Sequence, residues 1–126
     1  LKYDYMNKIL ITVLGLLFTN CLVGQNSIYD KLQGKWISKE DKLYSIEFKD
    51  GYFVEKSGNN IIEEGKLILS QDCTDENNIN VGENEKYINI NGELCLYYVI
   101  YVDTKSLKLS VVGRGNELNF NKQTKK

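Results

Sequence analysis

The sequence predicts an all-β protein: eight antiparallel strands in succession, closed as an up-and-down barrel behind a short N-terminal helical turn. Three observations carry this reading. Beyond residue 24 the chain is a series of short apolar runs broken by turn residues, with no proline and no long segment of helical period. Residues 43–49 alternate, with Tyr44, Ile46 and Phe48 on one face and Ser45, Glu47 and Lys49 on the other, as a half-buried strand requires. Asp50-Gly51 and Asn91-Gly92 supply the left-handed backbone that tight hairpin loops need. Sequential strands with short connections close most economically into a barrel, because closure removes exposed edges. A two-layer sandwich is the competing architecture.

Ahead of the strands, residues 6–24 read as a signal peptide. Asn7-Lys8 gives a short positive start, and Ile9 to Phe18 an apolar centre that falls short of the roughly 20 residues a membrane-spanning helix needs. Residues 1–5 then stand upstream of the expected start at Met6. Cleavage after Gly24 leaves Gln25 as the first residue of a single 102-residue domain, 25–126. The rival route makes Cys21 a lipidated first residue, although Asn20 before it is bulkier and more polar than such processing usually accepts. The first route predicts a periplasmic or secreted protein, the second an outer-membrane lipoprotein, and neither includes a membrane span.

The domain carries 14 basic and 16 acidic residues, well interspersed, and no histidine. No basic patch marks it for nucleic acid. Two cysteines remain, Cys73 and Cys95, and an oxidising compartment joins them most simply as a disulfide. A thiol nucleophile or a metal pair would need a histidine or further soft ligands nearby, and none exists.

Along the domain, residues 28–33 allow one helical turn before Gly34-Lys35-Trp36, which holds the only tryptophan. The predicted strands are 35–38, 43–49, 52–56, 61–70, 86–90, 93–102, 107–112 and 117–121. Gly65 marks a bulge or sharp bend in the fourth. Residues 71–85 form a long polar connection. The strand 93–102 is apolar on both faces and must be covered on both sides or lie against a partner. Trp36, Tyr44, Phe48, Leu96, Tyr98 and Ile100 are the candidate inward positions, either lining a ligand pocket with phenol groups or filling a solid core.

Gly34-Lys35-Trp36 at the first strand, the Asp50-Gly51 hairpin and the closing pair 107–111 and 117–121, all behind a signal peptide, resemble the small lipocalin-like proteins exported by Bacteroidetes. The likeness spans roughly residues 28–122. It implies a tryptophan packed across the base of the barrel and covered by an arginine from near the end of the last strands. The chain departs from that pattern: its one arginine, Arg114, falls in a Gly-flanked turn, and the residue after the final predicted strand is Lys122, which leaves open whether Arg114 or Lys122 reaches Trp36. It also implies an interior able to hold a small hydrophobic ligand.

Other constellations are weaker. Asp72, Asp75, Glu76, Asn77, Asn78, Glu83 and Glu85 lack the alternation and central glycine of a calcium loop. Glu63 and Glu64 are adjacent on a strand and so point to opposite faces, which denies them a shared catalytic site. Gly113 and Gly115 around Arg114 read as a hairpin turn rather than an anion nest. With no nucleophile-and-base pair, no metal-ligand spacing and no cofactor motif, the sequence predicts a protein that is not an enzyme. Two functions compete: binding of a small hydrophobic ligand inside the barrel, or a protein-interaction or inhibitor module with a filled core that meets a protein partner through its surface.

Overall fold

The computed structural model describes residues 27–73 and 80–124. The expected signal peptide, Cys21, Gln25 and, from the polar connection, Asp75, Glu76, Asn77 and Asn78 lie outside the described residues.

A single turn of helix, α1 (Ile28–Leu32), opens the described chain, with Ser27 accepting the Asp30 amide at its N-terminus. The strands follow in order: β1 (Gly34–Ser38), β2 (Tyr44–Lys49), β3 (Tyr52–Ser57), β4 (Asn60–Ser70), β5 (Tyr87–Ile90), β6 (Leu94–Val102), β7 (Ser106–Val111) and β8 (Glu117–Lys122). Each pairs antiparallel with its successor, and β8 returns to β1 through Trp36↔Lys122 and Ile37↔Asn121, so the sheet is a closed barrel. All connections run between neighbours, as the spacing of turn signals requires.

Turn chemistry sets the register. Asp50 and Gly51 both adopt positive φ, 53° and 76°, and join Lys49 to Tyr52 in a two-residue loop. Asn91 and Gly92 do the same at 58° and 72° before Leu94 pairs with Ile90. The Asn91 side-chain oxygen also accepts the Lys66 amide while the Asn91 backbone N–H donates to the Lys66 carbonyl, ending the β4 ladder against the β5–β6 turn.

Alternation then fills the barrel. Trp36, Ile46, Phe48, Phe53, Leu67, Leu69, Ile88, Ile90, Tyr97, Val99, Leu107, Leu109 and Phe120 are buried in one cluster, joined by Leu32 from α1, which closes the end of the barrel where β1 begins. Three register shifts turn the wall: between Glu55 and Lys56 opposite β4, between Ile88 and Asn89 opposite β6, and between Val99 and Tyr101 opposite β7. In β4 the extra residue is Ile62, not Gly65. Gly65 serves a different purpose: a Cβ there would lie 2.5 Å from Ile90 Cγ2 and 2.7 Å from the Asn91 amide, so only glycine lets β4 approach the β5–β6 turn this closely.

The connection between β4 and β5 folds back against the wall. Ser70 bridges Val81, Gln71 donates to the Asn80 carbonyl, and Tyr29 of α1 donates to Glu83. Cys73 and Cys95 form a disulfide with Cα atoms 5.7 Å apart, tying the start of this connection to β6. Beneath it, Asn89 donates to the Ser70 hydroxyl, and that hydroxyl to the Asp72 carbonyl, so both buried polar side chains are satisfied.

Candidate functional site

β6 decides which residues face inward. Its sequence offers no polar position from which to read its phase, so the pairings of its neighbours set it: Tyr97 lies opposite Ile88, and Val99 opposite Leu109. Tyr97 and Val99 are therefore buried, while Tyr98 and Ile100, expected inside, are not interior residues. Tyr98 stacks against Tyr87 on the outer wall at 4.9 Å between ring centroids, and Ile100 is exposed in a bulge. Leu96 sits at the other bulge, half-buried and packed against the core. Trp36 and Phe48 are fully buried as expected, and Tyr44 packs on the core from the rim.

At the closed end, Trp36 Nε1 donates to the Leu32 carbonyl at 2.7 Å, joining α1 to β1. Lys122 lies over the Trp36 ring, its Nζ 4.6 Å from the centroid, and donates to the Gln33 carbonyl. Of the two candidate cations, Lys122 is the one that covers the tryptophan. Arg114 belongs to the turn before β8, where its amide and that of Gly115 both donate to the Val111 carbonyl, so the hairpin reading of that turn holds and its amides do not open as a nest. Gly34 makes room for the lysine, since a Cβ there would lie 2.7 Å from Lys122 Cε.

Toward the other end, the interior holds a polar cluster. Glu55 follows Phe53 by two residues on β3 and so shares its inward face, where it is buried. Its Oε1 accepts from the Tyr97 hydroxyl at 3.0 Å and from the Tyr44 hydroxyl, and the two phenolic oxygens are 3.2 Å apart. Burial, followed by the bond to Glu55, drives the Tyr44 phenol far above its ordinary pKa. Burial also pushes Tyr97 up to about 12, with the Glu55 and Glu63 charges adding to it. Glu63 faces Glu55 across the β3–β4 ladder, while its neighbour Glu64 is exposed on the opposite face.

These contacts span the lumen. In a ring of eight strands β2 and β6 are diametrically opposed, yet Tyr44 and Tyr97 touch. Phe53 and Tyr97 also meet, at 6.4 Å between centroids, with Phe48 against Phe53 at 5.5 Å. Aromatic rings and a carboxylate–phenol bridge thus occupy the space a lumenal ligand would need.

The alternation that marked Tyr44 and Phe48 also places Phe53 and Glu55 on one face; reading the phase of residues 52–56 would have found the buried carboxylate. Nothing in the run of residues 94–102 reveals the phase of Tyr97. Among the described residues, no group of three or more Asp, Glu or Cys side chains converges on a metal position. No helix there is long and apolar enough to cross a membrane.

Compared with protein-family models, with curated proteins and with solved structures, the chain matches none.

Proposed function

We propose that this is an exported, lipocalin-like barrel without catalytic activity that works through its outer surface rather than by enclosing a ligand. The observation that carries the reading is the contact between Tyr44 and Tyr97 from opposite walls, both bonded to Glu55. A hydrophobic molecule entering the lumen would have to break these bonds and leave a buried carboxylate and two phenols unsatisfied, at about 1–3 kcal/mol for each group. It would also have to part the Phe53–Tyr97 ring contact. Export is supported by the Cys73–Cys95 bridge, a feature of proteins that mature in oxidising compartments.

Titration with apolar dyes and fatty acids, followed by Trp36 emission, tests the proposal. Trp36 is fully buried and contributes the chain's only indole, so a lumenal guest would change its signal. The reading predicts a flat titration. A saturable change would return the barrel to a ligand-carrying role. The mass of the mature N-terminus distinguishes a free Gln25 from a lipidated Cys21.

A further inference from the structure

On the outer wall, residues from three strands line up in one lateral row: Tyr87 of β5 pairs with Tyr98 of β6, and Tyr98 with Ser110 of β7. The two tyrosine rings are tilted by 60° at 4.9 Å, forming an aromatic corner rather than a flat stack. Beside them the β7–β8 turn rises as a second wall, and together they enclose a shallow concavity of about 310 Å³ reaching Val111, Gly113 and Gly115. Both glycines have positive φ, 86° and 73°, and neither has a heavy atom within 4 Å of where a Cβ would stand, so the turn presents bare backbone. The Tyr87, Tyr98 and Ser110 side chains are all half-buried, and none of their hydroxyls is enclosed without a partner.

The chemistry of this shelf is specific. The two tyrosine rings offer apolar contact, three hydroxyls and the turn backbone offer hydrogen-bonding groups around it, and among the described residues no charged side chain lines it. A lipid would find too little depth, and an ionic ligand no counter-charge. A pyranose ring fits both requirements: one face is clad in C–H groups that stack on an aromatic ring, while hydroxyls ring its edge. We infer that the Tyr87–Tyr98–Ser110 shelf binds a neutral saccharide, with Tyr98 as the stacking platform. The inference rests on the reading that the barrel works from its outer surface.

Amide NMR of the ¹⁵N-labelled protein, titrated separately with cellohexaose, maltohexaose, chitohexaose and a proline hexapeptide, tests it. The expected result is that at least one saccharide shifts residues 87, 98 and 110–115, with affinity on the order of 1 mM, and leaves Trp36 unmoved. Tyr98→Ala is expected to weaken binding about tenfold or more, and Tyr98→Phe, which keeps the ring and the fold, by less. No shift with any saccharide, shifts elsewhere, or occupancy of the shelf by the proline peptide alone would overturn the inference. Movement of Trp36 with an apolar dye would instead overturn the outer-surface reading, so the two failures are distinguishable.

Discussion

Lys122 Nζ sits 4.6 Å above the centroid of the Trp36 ring and at the same time donates to the Gln33 carbonyl, so the last residue of the barrel is fastened to the first strand and to the end of α1. The pairing Trp36↔Lys122 is also one of those that close the sheet. One lysine therefore contributes a cation–π contact, a charge-assisted hydrogen bond and cover for the only tryptophan.

Lys122→Ala is expected to destabilise the fold by about 1–3 kcal/mol, from the lost contact over the ring and an unsatisfied carbonyl. Lys122→Arg restores the charge but must fit beside Gly34, and is expected to recover only part of the loss. Urea unfolding followed by Trp36 fluorescence measures both; an unchanged midpoint for Lys122→Ala would show that the base is held by backbone pairing alone.

Glu55 gathers two phenols onto one oxygen. Glu55→Ala removes the acceptor while leaving both donors in place, and is expected to cost about 2–4 kcal/mol. Glu55→Gln keeps a carbonyl acceptor and is expected to cost less. Equal losses for the two variants in chemical denaturation would indicate that side-chain volume, not hydrogen bonding, matters at this position.

The same cluster sets an alkaline limit on stability. Burial raises both Tyr44 and Tyr97 above the ordinary phenol value of 10.0, Tyr97 to about 12. Below pH 10 both states hold these protons and the contribution to stability is complete. As pH rises above 10 the unfolded chain releases them first, so the unfolded state gains and stability falls through the folded values. Burial lowers Lys122, which acts in the opposite sense just below its ordinary value of 10.5. The expected outcome is a urea midpoint that declines between pH 10 and 12, and a shallower decline when Tyr44→Phe and Tyr97→Phe are combined.

Much of this architecture is legible in the sequence. Every predicted strand lies within one residue of an observed one at each end, because hairpin signals such as Asp50-Gly51 and the alternation through Tyr44, Ile46 and Phe48 are local properties of the chain. The Cys73–Cys95 pairing followed from counting thiols. The phase of β6 was not legible: Leu96 to Val102 is apolar on both faces, and only its pairing with Ile88 and Leu109 selects Tyr97 and Val99 for the interior. Its two bulges add residues that no alternation rule anticipates. The same reversal puts Tyr98 on the outer shelf, which is why a residue expected to line a lumenal pocket lines an external one.

Reducing the disulfide is expected to lower stability by about 3 kcal/mol in the chain-entropy model, since it closes a loop with a sequence separation of 22. The barrel strands pair without it, so Cys73→Ser with Cys95→Ser is expected to retain the β-sheet signal in circular dichroism while unfolding at lower denaturant. Loss of the sheet signal altogether would mean that the connection after β4 is needed for closure.

The filled interior is tested most directly by watching the rings that cross it. Aromatic side-chain NMR of Tyr44, Phe53 and Tyr97 during titration with a twelve-carbon fatty acid reads the lumen itself. A filled barrel predicts that these resonances stay fixed up to millimolar ligand; saturable shifts of all three rings would show that the lumen opens to a guest and would contradict the account.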